Sequence, residues 1–235
     1  MRAAARPMRY DVSMRDRRRR TWAIGLGWMA VLAAGACSRP SRSRQLPIDA
    51  IKITGDARLR TDAVGVGQYA EQASFVLVDA ENTAGEGAYV TLGGALTDDH
   101  DTVLGTLRPQ SLWIPSHDTR TFALVDEERK PRPTSTSASV VVKGTLVPTS
   151  PPPAAIEELH EFKDADHVVE QAYVVNRADR LGHVTVIASF HDASGRPQTR
   201  PFDVMQVAPK ARASVQFVGP PGSVRGTIFV GDVLY

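Results

Sequence analysis

Two stretches of the chain decide its fold, and they resemble each other. The first is NTAGEGAYVTLGGALTD, residues 82–98, and the second is NRADRLGHVTVIASFHD, residues 176–192. Aligning Asn82 with Asn176 fixes an offset of 94 residues. Without a gap, the same offset aligns further pairs of identical or similar residues: Val90 with Val184, Thr91 with Thr185, Leu92 with Val186, Leu96 with Phe190, Asp98 with Asp192 and Pro115 with Pro209. An internal similarity that keeps one register over this distance indicates a duplicated structural unit.

Both stretches have the alternation of a β-strand, because apolar residues recur at every second position, and such positions share one face. A turn follows each strand, and Asp101 and Gly195 tolerate the left-handed backbone that closes such hairpins. Short β-rich runs at about ten-residue spacing favour an antiparallel sandwich in each copy. These runs cover residues 73–78, 102–107, 120–125 and 139–147, with counterparts at 171–175, 213–218 and 224–235.

The two copies differ near their ends. Val142–Leu146 matches Val224–Ile228 at the shorter offset of 82, so the preceding loop, residues 126–137, is predicted to be an exposed insertion in the first copy. Residues 148–153 contain three consecutive prolines and favour an extended linker between the copies. Residues 154–163 fit either an amphipathic helix or a leading edge strand.

The first 36 residues have the organisation of an export signal. Arginines dominate Arg15–Arg20, and residues 21–36 carry no charge. This apolar run has 16 residues and three glycines, whereas a stable membrane-spanning helix needs about 20 apolar residues. Small residues precede Cys37, as at a cleavage site. The alternatives are an ordinary secretory signal with a chance cysteine, and a transmembrane anchor; Met14 is an alternative start to Met1.

The sequence VLAAGAC, residues 31–37, resembles the lipobox of bacterial lipoproteins. In that family the cysteine thiol receives a diacylglycerol and becomes the amino terminus after cleavage. By this resemblance Cys37 is the lipidation site, palmitate-type chains anchor the protein to a membrane, and Ser38 favours the outer membrane if the envelope has two. Ala34 stands where the pattern usually has Leu. Arg19 and Arg20 resemble a twin-arginine signal, so the Sec and Tat export routes both stay open.

Charge and cysteine content exclude several functions. The net charge of +2 conceals eight Arg and two Asp in the first 36 residues, which leaves −4 for the rest. We expect no nucleic-acid partner, because such affinity comes mainly from cations that neutralise phosphates. The single cysteine can form neither an intrachain disulfide nor a cysteine-based zinc site alone.

Both copies resemble the FxLYD-type and related immunoglobulin-like domains of bacterial envelope proteins. Those domains show a strand ending in Asn, an alternating strand running into a Phe-x-Asp-like turn, and later a Pro before a strand. The positions that carry the resemblance are Asn176, 184–190, Asp192, Gly195, Pro209 and Phe217, with Asn82, 90–96, Asp98, Pro115 and Phe122 in the first copy. The first copy lacks the aromatic residue at Leu96 and the glycine at Asp101. The resemblance implies a fold and an extracytoplasmic location, and it brings no catalytic residues.

Residue patterns that suggest chemistry have simpler interpretations. His160 and Glu161 resemble the start of a zinc-protease helix, but Asp164 stands where the second histidine is needed. The turn that contains Asp98, Asp99 and Asp101 lacks the distant bidentate carboxylate of a calcium loop. His191 and Asp192 would point to opposite faces of a strand. Gly65 and Gly67 form half of a phosphate-binding pattern and no helix-forming run follows.

Two features suggest recognition. Trp113 is the one tryptophan after the signal, and we expect it either in a core or on a ligand platform. The stripe His183, Thr185, Ile187, Ser189 and His191 would face outward from its strand. This stripe is either a recognition surface or a face that the other copy covers, and the sequence leaves both alternatives open.

Together these observations predict an all-β protein with two tandem immunoglobulin-like antiparallel β-sandwiches. The predicted segments are a signal peptide at 1–36, a flexible stalk at 37–47, sandwich 1 at 48–147, a Pro-rich linker at 148–155 and sandwich 2 at 156–235. The predicted function is that of a non-catalytic, lipid-anchored envelope lipoprotein that binds a protein partner or serves in assembly, without cofactor or metal. The alternatives are a surface carbohydrate-binding lipoprotein and an envelope hydrolase.

Overall fold

The computed structural model describes residues 44–65, 68 and 70–235. The predictions for the signal at 1–36, for Cys37 and for most of the stalk lie outside these residues. Within the described part of the chain, no helix combines the length and the apolar character needed to cross a membrane.

The regular secondary structure of the described residues is almost wholly β-strand, preceded by one short 3-10 helix at Ile48–Ala50. The strands are β1 Ile51–Val64, β2 Glu71–Asn82, β3 Ala88–Thr97, β4 Val103–Ile114, β5 Thr119–Val125, β6 Ser137–Leu146, β7 Ala154–Asp164, β8 His167–Asn176, β9 Gly182–His191, β10 Pro197–Thr199, β11 Phe202–Val207, β12 Arg212–Val218 and β13 Arg225–Leu234.

These strands form four antiparallel sheets, two in each copy. In the first copy, sheet β1-β2-β5 and sheet β4-β3-β6 enclose one hydrophobic cluster, which contains Val78, Leu92 and Phe122. In the second copy, sheet β7-β8-β12 faces a sheet in which β9 pairs with β10 and β11 on one side and with β13 on the other. Its cluster contains Val174 and Phe190. The predicted all-β class built from antiparallel sandwiches is confirmed.

The alternating pattern explains why β9 lies where it does. Val184, Val186, Ala188 and Phe190 all belong to the second cluster, so every second side chain of β9 faces its own sandwich. The residues between them face the other way. One face of β9 is therefore free to contact something outside its own core.

Two buried asparagines stabilise equivalent turns in the two copies, after β2 and after β8. Asn82 Nδ2 donates to the carbonyls of Glu86 (2.9 Å) and Ile114 (3.2 Å), and its Oδ1 accepts from the amide of Ala84 (3.0 Å). Asn176 makes the matching bonds to Arg180, Val207 and Ala178 at 2.8, 3.0 and 2.9 Å. These bonds satisfy backbone groups that the turn leaves unpaired, which explains why a strand in each copy ends in Asn.

The pairing register of the strands corrects the predicted alignment of the last strand in each copy. Leu146 lies opposite Tyr89, and Leu234 lies opposite His183, so the last strands correspond at an offset of 88 rather than 82. A bulge falls at equivalent places in both, at Lys143 and at Gly231. The similarity between Val142–Leu146 and Val224–Ile228 is therefore fortuitous, because these residues do not occupy equivalent positions in the two sheets.

Phe122 and Phe217 are also not equivalent. Phe122 lies opposite Val78, whereas the equivalent position, opposite Ala172, is Val215. The aromatic residue of the second copy is therefore displaced by two residues along its strand, which keeps it on the same face.

The segment after the prolines is a strand, which resolves the helix-or-strand alternative. The predicted linker at 148–155 is too long at its end, because Ala154 and Ala155 already pair with Asn176 and Val175. β1 and β7 each contain a bulge at which one residue, Gly55 or Glu158, has a positive φ, of 72° and 52°.

The loop at 126–137 is mostly exposed, as predicted for an insertion. One residue departs from that expectation, because Asp126 is buried and pairs with Arg132 Nε at 3.0 Å. Residues Ser41–Tyr235 form one compact unit that contains both hydrophobic clusters and all four sheets. Both cores of the described residues therefore belong to this one unit.

Candidate functional site: the contact between the two sandwiches

The stripe on β9 is where the two sandwiches meet. His183 is exposed and Thr185 is half-buried, but Ile187, Ser189 and His191 are buried. Ile187 is only 3% exposed and belongs to the cluster of the first sandwich. Of the two alternatives for the stripe, the structure therefore supports the second: the first sandwich covers Ile187, Ser189 and His191, and His183 stays exposed.

A polar group lies in this contact. His191 Nε2 lies 2.8 Å from Asp79 Oδ2, and the Thr121 hydroxyl donates to Asp79 Oδ1 at 2.5 Å. Asp79 and His191 are 4% and 5% exposed. A buried carboxylate is stable only when donors surround it. Asp79 and Thr121 belong to the first sandwich and His191 to the second, so these bonds tie the two together.

Phe229 of β13 reaches from the second sandwich into the cluster of the first. Two guanidinium groups flank its ring, Arg120 at 5.1 Å and Arg200 at 5.8 Å. Burial lowers the pKa of Arg120, and the adjacent Asp118, at 2.7 Å, partly opposes that effect. An aromatic ring between two cations is a favourable arrangement that also fixes the ring in position.

A small cavity of about 190 Å³ beside this group contains Ser189, His191 and Asp118 in its walls. The Ser189 hydroxyl makes no hydrogen bond within the described part of the chain. A serine hydrolase requires the nucleophile to contact its base, and the base to contact an acid. His191 and Asp79 supply the second contact, while the Ser189–His191 contact is missing from this geometry.

A larger cleft of about 400 Å³ opens next to it and is lined by aromatic residues and prolines. The rings of Tyr89 and Trp113 pack edge to face, with centroids 5.5 Å apart and planes at 62°. Gly87 permits this packing, because a Cβ there would overlap the Trp113 ring. Tyr235 and the linker prolines at 151–153 form further parts of the wall. We call this space the aromatic cleft.

Charged groups of both signs line the aromatic cleft: Asp118, Arg120, Arg177 and Asp232. Burial raises the pKa of Tyr89, and the nearby Asp232 carboxylate raises it further. The guanidinium of Arg180 stacks over the Tyr235 ring at 4.9 Å. A mostly apolar cleft with a few polar groups is the usual form of a binding site.

Trp113 therefore lies on a cleft wall, next to Tyr89. Tyr173, the other aromatic residue considered for a platform, is covered instead by the guanidinium of Arg212 at 4.3 Å.

The aspartate turns are local structures. Asp98 Oδ1 accepts from the amides of Thr102 and His100 at 2.8 and 2.9 Å, and the Thr102 bond is the main cause of its lowered pKa. Asp192 makes the same turn with Ser194 and Arg196, so His191 and Asp192 serve different contacts. In the described ranges, no group of three or more His, Cys, Asp or Glu side chains is placed to hold a metal ion.

The remaining candidates lie apart from this contact. His160 and Glu161 lie on strand β7 rather than on a helix, and Glu161 Oε2 accepts from the amide of Gly226 at 3.0 Å. Gly65 follows β1 with a φ of 121°, and Gly67 lies outside the described residues.

Sequence reasoning missed Asp79, Arg200 and Glu170. Asp79 lies in the apolar run FVLVDA, where a charged residue on a buried strand is unusual. Glu170 is 0% exposed and its two carboxylate oxygens have no hydrogen-bond partner among the described residues. Burial, and secondarily Glu161, raises the pKa of Glu170 to about 8. The signal available for Asp79 and Glu170 was a charged residue directly beside a predicted β-rich run, whereas Arg200 lies between strands and had no such signal.

Comparison with known proteins assigns the chain to no family. No protein-family model matches it, and no curated protein matches it. Among solved structures, the crystal structure of red sea bream transglutaminase shares 14% identity, with a TM-score of 0.24. That match covers 74% of this chain and 31% of the transglutaminase, so this chain spans about a third of that protein's length.

Proposed function

We propose that the protein is a non-catalytic, lipid-anchored lipoprotein of the bacterial cell envelope, which binds an extended segment of a protein partner in the aromatic cleft. The observation that carries the proposal is the cleft itself: Tyr89, Trp113 and Tyr235 beside three linker prolines, in about 400 Å³ between the sandwiches. Grooves lined by aromatic side chains bind extended, proline-containing segments well, because such segments lose little entropy on binding.

The charges of the cleft favour a peptide rather than a purely apolar ligand. Asp118 and Asp232 can accept from backbone amides or basic side chains, and Arg177 is exposed enough to donate to carbonyls. The buried contact through Asp79 and His191 holds the two walls in a fixed relation. A preformed cleft loses less freedom on binding than a mobile one, so this rigidity supports affinity.

Site-specific photo-crosslinking in cells tests the proposal. A benzophenone amino acid at Tyr89 should give one discrete protein adduct, because its ring lines the cleft. The matched control places the same probe at Val141, which is exposed on β6 and absent from the walls of the cleft. The adduct should disappear when Asp232→Arg is added. An equal adduct at Val141, or none at Tyr89, would contradict a peptide-binding cleft.

Carbohydrate binding is the second candidate, and the packing of Trp113 against Tyr89 in an open cleft favours it. Trp113 is the one tryptophan after residue 36, so its fluorescence in the processed protein reports the cleft alone. Titration with envelope oligosaccharides should then change the emission, and Asp232→Asn should weaken the change. No response to sugars together with the Tyr89 adduct would favour the protein partner.

The lipid anchor has a separate test. Cys37→Ser should prevent both acylation and cleavage, because the lipidated thiol is also the cleavage signal in the family that it resembles. The variant should therefore keep its leader, migrate more slowly than the unchanged protein and incorporate no labelled fatty acid. Cys37 is the single cysteine of the chain, so no other thiol can take over. Unchanged mobility and labelling of the variant would contradict the anchor.

A further inference from the structure

Arg200 lies where a strand that is continuous in the first sandwich is divided in the second. In the first sandwich β4 runs from Val103 to Ile114 with a bulge at Arg108 and Pro109, whereas the corresponding strand is divided into β10 and β11 by Arg200 and Pro201. The amide of Ala188 donates to the carbonyl of Pro201 at 2.9 Å, which keeps the break against β9. Departures from a repeated pattern are where function is most often found.

The guanidinium of Arg200 has no counter-charge in the described part of the chain. Its Nε donates to the Thr121 carbonyl at 2.7 Å, and its Nη2 is buried without any partner. Burial lowers the pKa of Arg200 to about 10, so the group stays charged at neutral pH. By contrast, the well-buried guanidinium of Arg120 pairs with a carboxylate, that of Asp118. A buried charge without a partner is costly, and proteins rarely keep one without use.

The Arg200 side chain lines a cavity of about 740 Å³, distinct from the aromatic cleft. Its apolar wall is formed by side chains of both sandwiches: Val64, Phe75, Leu77, Val125, Phe202 and Val204. Phe202 and Val204 are about half exposed, at 49% and 56%, although they are large and apolar. Exposed apolar groups at the rim of a cavity are typical of a binding site.

Three other charged side chains line this cavity. Arg60 Nη1 donates to the Gln198 carbonyl and its Nη2 lies 3.6 Å from Asp62. Asp203 is exposed and its Oδ1 accepts from the amide of Val204. The carboxylates of Asp62 and Asp203 both lie more than 4 Å from the nitrogens of Arg200. Arg60 is paired with Asp62, so among the described residues of this cavity Arg200 is the arginine without a counter-charge.

We propose that this cavity binds a monocarboxylate that carries an apolar chain, with the carboxylate at Arg200 and the chain against Phe75, Phe202 and Val204. A planar carboxylate matches the fork of a guanidinium better than a spherical anion does. The apolar wall explains why the ligand needs a chain as well as a charge. This site is independent of the partner proposed for the aromatic cleft.

Decanoate and decanol are suitable probes, because they share one chain and differ in the carboxylate. Isothermal titration of the Ser41–Tyr235 unit, which contains the whole described core, should show decanoate binding and much weaker decanol binding. Arg200→Met should weaken decanoate binding about 10- to 100-fold, the loss expected for one charge-assisted hydrogen bond. Arg108→Met, a change at an exposed arginine that does not line the cavity, should bind as the unchanged protein does.

Stability separates a ligand site from a structural arginine. If Arg200 is kept for a ligand, Arg200→Met removes a buried charge that has no counter-ion, and this offsets the loss of its bond to the Thr121 carbonyl and of its contact with the Phe229 ring. The Tm of the variant without ligand should therefore stay close to that of the unchanged protein. Arg200→Lys should fold and bind decanoate with intermediate affinity. A Tm several degrees lower for Arg200→Met, a failure of that variant to fold, or equal binding of decanoate and decanol would overturn the proposal.

Discussion

Replacement of Asp79 by alanine tests whether the buried polar group holds the two sandwiches together. The carboxylate accepts from the Thr121 hydroxyl at 2.5 Å and contacts His191 Nε2 at 2.8 Å. A hydrogen bond to a charged group contributes about 1.5–3 kcal/mol, so the loss of both costs about 3–6 kcal/mol. For a unit of this size each kcal/mol lowers the Tm by roughly 2–4 °C, which gives a fall of about 6–24 °C.

Calorimetry of the Ser41–Tyr235 unit provides the measurement, with Asp49→Ala as the control. Asp49 is exposed on the short 3-10 helix and should change stability by no more than about 0.5 kcal/mol. A double-mutant cycle with His191→Ala should give a coupling of about 1–3 kcal/mol, because the two side chains share one contact. If Asp79→Ala costs less than about 1 kcal/mol, or if the two changes are additive, the contact does not join the sandwiches.

Three further changes test local structure. Asn82→Ala and Asn176→Ala should each cost about 2–4 kcal/mol in urea unfolding, because several backbone groups lose their partners; a cost below about 1 kcal/mol would refute that role. Gly55→Ala should cost about 1–2 kcal/mol because its φ is 72° and nothing crowds the site, whereas Glu158→Gly at the equivalent bulge should change stability by less than about 1 kcal/mol, because the relieved backbone offsets the loss of an exposed ion pair with Arg212. Burial raises the pKa of Glu170 from 4.5 to about 8, so the native carboxyl keeps its proton while the unfolded chain ionises. The Tm should therefore fall as the pH rises from about 5 to 8, and Glu170→Gln should flatten that fall; an unchanged slope would show that Glu170 is not the cause.

The period-two pattern was sufficient to predict β3 and β9, whereas β1, β10 and β11 were not among the predicted strands. Val184 and Phe190 face the core because every second residue of β9 does, and this rule needs no knowledge of the neighbouring sheet. The sequence did not predict which residues of distant strands pair with each other. Local similarity paired Leu146 with Ile228, whereas the bulges at Lys143 and Gly231 show that Leu146 corresponds to Leu234. Backbone pairing, rather than residue type, determines that correspondence.

The site was less predictable than the fold, because it forms between two units that are far apart in the chain. The stripe on β9 gave two equally consistent interpretations, an open surface or a covered one. Only the packing of Ile187 into the first cluster decides between them. The pairing of Trp113 with Tyr89 rather than with Tyr173 depends in the same way on strand order, since β3 and β4 are neighbours.

Comparison of the copies separates the polar residues that the fold requires from those that it does not. Asn82 and Asn176 are buried in both copies and make the same bonds, so they serve the fold. Asp79, by contrast, corresponds to Tyr173 at the same offset of 94, and no fold rule demands a carboxylate there.

At the same offset of 94, His191 aligns with Thr97, and Glu170 aligns with Val76. Asp79 and His191 each appear in one copy only, and the structure brings these two together at the contact between the sandwiches. Residues that differ between the copies therefore specify how the copies join. The aromatic cleft and the cavity at Arg200 both depend on that geometry. A charge that appears in one copy of a duplicated strand is a signal that the sequence alone contains, and it points to Asp79 and Glu170 without any structure.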